Sequence, residues 1–271
     1  MDPNRNEAVI MHHVFITGVS SGIGAAVARA AVAAGWRVSG CARREQALAA
    51  LRQELGDAAC LQTADVTDPA ALAMAVQTAI ARHGAIKVLV ANAGQGCDGA
   101  LAELEAERLR QVLAVNLLGV HHTLQAARPH LAAGACIQIV SSIVAWLPIP
   151  LMGAYCASKH ALQAYAMSLR MELRDAGIDV VTVNPGTVAT AFFARAEGQG
   201  GERWSYRPGA ALPPERLARA MLRQWHRRQR ELILPRRLRF VRWAARTLPG
   251  LYERMLGHQL RRQRSPGTDK R

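Results

Sequence analysis

Cysteine is scarce in this chain, and its spacing offers no obvious pairs. The 271 residues contain five cysteines, and the two nearest in sequence are 19 positions apart. Disulfide frameworks use an even number of cysteines, and zinc sites use closely spaced pairs. The composition therefore argues against both arrangements. It predicts a reducing compartment, which we expect to be the cytoplasm.

Charged residues are absent from positions 129–158, the one stretch that resembles a membrane span. A spanning helix needs about 20 consecutive apolar residues, but Gly134, Gln138 and Pro148 interrupt this one. A buried strand followed by a loop fits the pattern better. The opening residues, MDPNRNEAVIMHH, lack the apolar core of a secretory signal, so we expect none.

Acidic residues are few in the last third of the chain. Residues 1–185 carry 14 Lys and Arg and 14 Asp and Glu, whereas residues 186–271 carry 20 basic and 6 acidic residues. The whole net charge of +14 therefore falls beyond residue 185. Only that region could attract a polyanion. No nucleic-acid recognition motif is present, and we expect no nucleic-acid partner.

Short β-rich segments alternate with alanine-rich helical segments. The predicted strands are His13–Thr17, Trp36–Cys41, Ala58–Thr63, Ile86–Ala91, Ala135–Ser141, Ile178–Asn184 and Glu231–Leu234. This alternation predicts an α/β fold with a doubly wound parallel sheet of the Rossmann type and helices on both faces. We predict one domain over 1–234, with a lid at about 186–212. A basic amphipathic C-terminal extension is predicted over 235–271.

A glycine-rich turn, TGVSSGIG at residues 17–24, follows the first strand and precedes a helix. Gly18 allows a sharp turn, Gly22 allows backbone to approach a phosphate, and Gly24 allows close packing of helix on strand. The first N–H groups of the helix then face an anion. This context predicts nucleotide binding, and the alternative is a glycine-rich turn that holds no ligand.

Tyr155 and Lys159 lie four residues apart, so on a helix they share one face. A free tyrosine has a pKa of about 10, which suits proton transfer at neutral pH poorly. A neighbouring ammonium group stabilises the phenolate and lowers that pKa. The spacing is therefore typical of a catalytic pair, although surface pairs with the same spacing are common.

Together these residues resemble the short-chain dehydrogenase/reductase family. Its landmarks occur in order over residues 12–190: the glycine turn, Asp65-Val66, Asn92-Ala93-Gly94, Asn116, Ser142, Tyr155-x-x-x-Lys159 and Pro185-Gly186. The cofactor-binding residues that the resemblance implies are Gly18, Ser20, Ser21, Gly22, Ile23, Gly24, Arg43, Arg44, Asp65, Val66, Asn92, Ala93, Gly94, Tyr155, Lys159, Pro185, Gly186, Val188 and Thr190.

The resemblance also implies a catalytic set of Asn116, Ser142, Tyr155 and Lys159. Hydride would pass directly between a nicotinamide and a carbonyl or carbinol carbon, with Tyr155 as the proton donor or acceptor. Ser142 would polarise the carbonyl, and Lys159 would hold the ribose and lower the pKa of Tyr155. Asn116 would support the proton relay through a water; the alternative is a core asparagine that bonds to backbone.

Two arginines occupy the end of the second predicted strand, where dinucleotide-binding folds that prefer NAD place an acid. The segment Ser39–Arg44 contains no carboxylate. Arg43 and Arg44 could pair with a 2′-phosphate, which a carboxylate would repel. The alternative is a solvated basic pair at the start of a helix, where cations are mildly unfavourable. We therefore predict NADP(H) as the cofactor.

Substrate is expected to meet two segments, the loop Trp146–Met152 and the lid. The lid carries Phe192, Phe193, Trp204 and Tyr206. Apolar side chains in both segments predict a hydrophobic small-molecule substrate, although the lid could merely pack on the body. The adjacent histidines at 12–13 and 121–122 lack the spacing of a metal site, so we expect no metal.

Four arginines of the extension, at positions 236, 239, 242 and 246, fall within about 120° on a helical wheel. Apolar residues fill the rest of that wheel. This pattern is typical of a helix lying on an anionic membrane, and equally of a helix whose apolar side covers the body or a partner subunit. A scaffold at a membrane, binding cofactor with little turnover, is the alternative to an enzyme. We also expect a homo-oligomer.

Overall fold

Seven parallel strands form one sheet in the part of the chain that the computed structural model describes, residues 12–192, 211–227 and 229–264, with backbone alone for 259–264. The strands are β1 His13–Thr17, β2 Arg37–Ala42, β3 Ala59–Thr63, β4 Ile86–Ala91, β5 Leu131–Val140, β6 Asp179–Pro185 and β7 Glu231–Leu234. Their order is β3-β2-β1-β4-β5-β6-β7. The predicted doubly wound sheet is confirmed.

Helices connect the strands and cover the sheet. They are α1 Gly22–Ala33, α2 Glu45–Leu55, α3 Pro69–His83, α4 Ala106–Leu113, α5 Gly119–Ala127, α6 Gly153–Glu172, α7 Pro214–Gln224, α8 Leu238–Thr247 and α9 Pro249–Arg264. The start of α3 shows how local residues determine where a helix begins. Asp68 accepts hydrogen bonds from the Ala70 and Ala71 amides, and Pro69 in the first turn needs no partner for its nitrogen.

The sheet is buried on both faces, which explains its continuous apolar strands. Val14 and Ile16 of β1 pack with α1, α2 and α7, whereas Phe15 between them packs with α3, α5 and α6. All three side chains are fully buried. Successive side chains of a strand point to opposite faces, so a parallel strand between two helical layers must be apolar throughout.

The strand order places a crevice between the ends of β1 and β4. The chain leaves β1 toward β2 on one side of the sheet, and it leaves β4 toward β5 on the other. The two connections diverge, so the carboxyl ends of these strands remain open to a ligand. The glycine turn after β1 and Asn92-Ala93-Gly94 after β4 both lie at this opening.

The uncharged stretch at 129–158 forms β5, a loop and the start of α6, as predicted. The structure differs at its beginning, because β5 starts at Leu131 and not at Ala135. The preceding helix, α5, ends at Ala127, and a single tight turn containing Pro129 leads into the strand. Within the described ranges, no helix has both the length and the apolar character needed to cross a membrane.

The last described elements, α8 and α9, are the helices predicted for the extension. They pack against the body through Leu238, Ala245 and Tyr252, which contact a small cluster of Ile143, Leu147 and Ile233. The division into a domain and an extension at residue 234 stays a prediction. Most of the predicted lid, residues 193–210, lies outside the described residues.

Candidate active site

The glycine turn is held tightly at the crevice. Gly18 has a φ of +68°, and a Cβ on it would lie 2.9 Å from the Cα atom of Ala93, so a larger residue would be strained and crowded. Its N–H donates to the Cys41 carbonyl at 2.8 Å, which ties the turn to the end of β2. A side chain at Gly24 would collide with the Gly18 carbonyl, so glycine there lets α1 begin close to the sheet.

One cleft runs from this turn to the end of β5 and the beginning of α6. All the residues predicted to bind cofactor line it except Gly24, which lies behind the turn in the packing position described above. Ser142, Tyr155 and Lys159 line the same cleft, whereas Asn116 is buried beside it. The structure thus brings together the candidate nucleotide-binding and catalytic residues at one opening.

Asn92 fixes the two loops of the crevice against each other. Its side-chain amide donates to the Thr17 carbonyl at 3.0 Å, and the Thr17 hydroxyl accepts from the backbone amides of Asn92 and Ala93 at 3.1 and 3.2 Å. The side-chain nitrogen of Asn92 is thus used within the protein, where it ties the loop after β4 to the end of β1.

Arg43 and Arg44 form the wall of the cleft at the end of β2. Arg44 donates to the Ser20 hydroxyl of the glycine turn at 3.3 Å, and Arg43 lies 3.8 Å from the Asp65 carboxylate. The Arg43 side chain is 66% exposed. Two guanidinium groups therefore border the glycine turn, and the Arg43 head remains accessible to an anion in the cleft.

Ser142, Tyr155 and Lys159 meet deep in the cleft. Ser142 follows β5, while Tyr155 and Lys159 stand one turn apart on α6 and are 6% and 3% exposed. The Lys159 ammonium group donates to the Val140 carbonyl at 2.9 Å and lies 5.7 Å from the centre of the Tyr155 ring. A substrate oxygen reaching Tyr155 would therefore also reach Ser142, because the two side chains share a hydrogen bond.

Burial is the largest influence on the pKa of Tyr155 and on the pKa of Lys159. It raises the pKa of Tyr155 above its ordinary value, and the hydrogen bond with Ser142 acts in the opposite direction without cancelling it. Burial also lowers the pKa of Lys159 to about 8. The expectation of a lowered Tyr155 pKa is therefore wrong for this structure, because desolvation of the phenolate dominates.

Asn116 lies on a π-helical turn, Ala114–Leu118, that joins α4 to α5. Its amide donates to the Gln95 carbonyl at 3.0 Å and to the Ser158 hydroxyl at 2.9 Å, and its oxygen accepts from the Gln95 amide at 2.8 Å. Ser158 in turn donates to the Tyr155 carbonyl at 2.7 Å. Asn116 therefore connects the loop after β4 to the helix that carries Tyr155.

Comparison with known proteins agrees with this geometry. The family described as short chain dehydrogenase matches residues 12–199. The chain belongs to the short-chain dehydrogenase/reductase family. Among curated relatives, Dehydrogenase/reductase SDR family member 7B of Rattus norvegicus is 33% identical over 202 residues, which are 70% of this chain and 62% of the relative. The Bos taurus protein of that name is 29% identical over 266 residues, covering 93% and 82%.

Solved structures give the same family assignment. A short-chain dehydrogenase/reductase from Burkholderia phymatum, in complex with NAD, matches with a TM-score of 0.79 at 25% identity, covering 96% of this chain and 98% of that one. An alcohol dehydrogenase from Thermococcus sibiricus, complexed with 5-hydroxy-NADP, matches with a TM-score of 0.72 at 31% identity, covering 83% and 96%. These two similar proteins carry different cofactors.

The part of this short-chain dehydrogenase/reductase that was predicted to meet substrate is apolar where it is described. Phe192 lies with its ring centre 5.7 Å from that of Tyr155, and Ile149, Met152 and Cys156 pack around the same side chain. Phe193, Trp204 and Tyr206 of the predicted lid lie outside the described residues. Trp146 does not join this group, because it stacks against the arginines of α8.

Several residues of this short-chain dehydrogenase/reductase that line the cleft were not predicted, and they are mostly small or apolar. They are Cys41, Ala42, Ala64, Val115, Val140, Ser141, Ala191 and Phe192, of which Phe192 was assigned to the lid. Most immediately adjoin a predicted residue, so flanking positions at each strand end would have found them. The structure also joins Ser141 to α6, because the Ser141 hydroxyl donates to the Lys159 carbonyl at 3.0 Å.

The histidine pairs have structural partners. His121 bonds to the Tyr165 hydroxyl at 2.9 Å, and His122 bonds to the Val66 carbonyl at 3.0 Å. His13 bonds to the Gly84 carbonyl at 2.8 Å. Within the described residues, no three His, Cys, Asp or Glu side chains are grouped as metal ligands.

Proposed function

We propose that this oxidoreductase transfers a hydride between NADP(H) and the carbonyl or alcohol group of a hydrophobic small molecule. The observation that carries the proposal is the meeting of Ser142, Tyr155 and Lys159 in the same cleft as the glycine turn and the arginine pair. The test is oxidation of NADPH against a panel of hydrophobic ketones and aldehydes. A scaffold that binds cofactor with little turnover, the alternative, would leave every member of the panel unreduced.

The cleft fits a phosphorylated dinucleotide. Backbone of the glycine turn lies at the first residues of α1, where helix N–H groups favour an anion. Arg43 and Arg44 border that turn, and no carboxylate ends β2. A bound nicotinamide would supply or accept the hydride. Pro185, Gly186, Val188 and Thr190 line the same cleft and are proposed to hold the cofactor there.

In the proposed reaction Tyr155 gives its hydroxyl proton to the substrate oxygen, or takes it back in the reverse direction. The raised pKa keeps Tyr155 protonated at neutral pH, which is the state that a proton donor for reduction needs. Ser142 orients the same oxygen. Lys159, whose pKa is about 8, is mainly charged at pH 7 and attracts the anionic cofactor.

The cofactor preference is expected to favour NADPH over NADH by at least about 1 kcal/mol, because a guanidinium group can pair with the 2′-phosphate. Arg43→Asp should reverse the preference by replacing that cation with a carboxylate. Titration of cofactor fluorescence would measure both affinities. Arg174→Asp, an equal charge change at an exposed site between α6 and β6, should leave the preference unchanged. Equal affinities in the wild type would rule out the NADP(H) assignment.

The remaining proposals concern location and partners. All five cysteines are free thiols, which supports a reducing cytoplasm. Met167 and Met171 are 58% and 66% exposed on α6, and an apolar surface on this helix supports a homo-oligomer. The C-terminal extension is proposed to make peripheral contact with an anionic membrane, because its helices combine arginines with exposed apolar side chains.

A further inference from the structure

The inner side of the C-terminal helices lies on the loop that follows Ser142. Leu238 and Ala245 of α8 and Tyr252 of α9 pack against the cluster around Ile143 and Leu147. The Tyr252 hydroxyl also donates to the Pro148 carbonyl at 3.2 Å. This loop continues to Ile149 and Met152, which pack around Tyr155. The helices therefore form the outer support of the substrate side of the cleft.

The ring of Trp146 in this loop contacts His160 of α6, at 5.5 Å between ring centres, and two arginines of α8. The guanidinium carbons of Arg242 and Arg246 lie 5.5 and 5.7 Å from the centre of its ring, within cation–π range. Arg242 also pairs with Glu231 at 2.5 Å. Two of the four arginines predicted to share one helical face, Arg242 and Arg246, are thus directed at the body of the protein.

A chain of hydrogen bonds leads from this contact to the catalytic helix. Glu231 accepts from the Asn184 amide at 2.8 Å, and the Asn184 oxygen accepts from Gln163 at 2.7 Å. Gln163 also donates to Ser141 at 2.8 Å, and Ser141 donates to the Lys159 carbonyl. The extension is therefore joined to the site by polar contacts as well as by apolar packing.

The outer side of the same helices is apolar and uncovered. Phe240 and Trp243 are 69% and 60% exposed, and their ring centres lie 5.6 Å apart. Leu251 and Met255 of α9 are also more than half exposed. The sequence left two alternatives, a helix that lies on a membrane and a helix whose apolar side covers the body. Neither describes the extension fully, because one side of it covers the body while the other side presents aromatic rings outward.

The positive charge around this apolar outer side indicates what kind of partner could bind there. Arg236, Arg237 and Arg239 are exposed next to Phe240, and Glu253 is the one acidic residue from 235 to 264. A second copy of the chain on this face would bring two strongly basic segments together, which is unfavourable. An anionic bilayer complements both features, since phosphates attract arginines and tryptophan prefers the membrane–water interface.

We infer that the C-terminal helices hold the substrate side of the cleft close to an anionic bilayer, so that the enzyme takes its apolar substrate from the lipid phase. The inference rests on the proposed function, because it requires an apolar carbonyl or alcohol as substrate. An apolar molecule dissolved in the bilayer then reaches the loop at Ile149 and Met152 without crossing much water.

The test compares Phe240→Ser/Trp243→Ser with the wild type. The wild type should co-sediment with phosphatidylglycerol vesicles at low salt and not with phosphatidylcholine vesicles, and the double variant should lose most of this binding. With phosphatidylglycerol vesicles present, reduction of a long-chain 2-alkanone relative to a short-chain one should fall at least tenfold in the variant. Met74→Ser removes an apolar side chain that is 71% exposed on α3 and should change neither result.

A second variant, Arg236→Gln/Arg239→Gln, keeps the aromatic pair and removes two exposed charges. It should bind the anionic vesicles more weakly, and the loss should shrink as salt is raised. If the wild type ignores these vesicles at low salt, or if the aromatic variant changes the oligomeric mass and not vesicle binding, the inference is overturned. If both ketones are reduced and vesicles do not alter their ratio, the inference alone fails. If neither ketone is reduced, the proposed substrate class fails and the inference falls with it.

Discussion

Replacement of Tyr155 by phenylalanine is expected to lower kcat by about 100- to 10,000-fold, while the affinity for NADPH stays within severalfold. The change removes one hydroxyl and keeps the ring that packs against Phe192 and Met152. General acid catalysis contributes about 100- to 10,000-fold in enzymes, so loss of the donor falls in that range. Steady-state kinetics and cofactor titration on the same preparation would measure the two effects separately.

Tyr165→Phe is the matched control for this variant. Tyr165 lies on the same helix, and its hydroxyl bonds to His121 instead of facing the cleft. The control should retain kcat within about twofold, since it removes a chemically identical group from a position without a role in proton transfer. Substantial turnover in Tyr155→Phe would show that another group is the acid.

Replacement of Lys159 by methionine should weaken NADPH binding about tenfold at pH 7 and lower turnover at least 100-fold, because a buried cation is lost from the cleft. The wild-type affinity should also depend on pH. Burial lowers the pKa of Lys159 to about 8, so the group is charged below that pH and neutral above it. Affinity for the anionic cofactor should therefore decline as pH rises from 7 to 9.

The decline of NADPH affinity between pH 7 and pH 9 should be absent in Lys159→Met. Fluorescence titration of the cofactor at several pH values would measure the affinity of both proteins. Cys41 also lines the cleft, but burial raises the pKa of its thiol to about 12, so it does not titrate in this window. Lys87→Met is the control, because the Lys87 amine bonds to the Ala133 carbonyl away from the cleft. An identical pH profile in Lys159→Met and the wild type would contradict the role given to this lysine.

The regular elements were largely predictable because local signals agree with burial. His13–Thr17 and Ile86–Ala91 were predicted with the bounds they have, since each is an apolar run between a turn and a helix signal. The start of β5 was missed for a tertiary reason. Its pairing with β4 shifts register between Ile86 and Val88, so residues before Ala135 join the sheet despite Gly134, whose φ is +62°.

The contacts of the C-terminal helices could not be predicted in the same way. Trp146 and Arg242 are far apart in sequence, and nothing in the local pattern says that one stacks on the other. A helical wheel groups Arg242 with Arg239, yet one pairs with Glu231 and the other is exposed. Periodicity identifies the faces of a helix, but the neighbour that each face meets is decided by the whole fold.

The π-helical turn that carries Asn116 restricts how the length of this protein can change during evolution. Such a turn accommodates one residue more than an α-helical path would. Deleting a residue from 114–118 would let a regular α-helical path join α4 to α5, and it would remove the bulge that directs the Asn116 amide at Gln95 and Ser158. A single-residue deletion here would therefore disassemble the support of α6, although a pairwise alignment would show it as an ordinary gap in a helix.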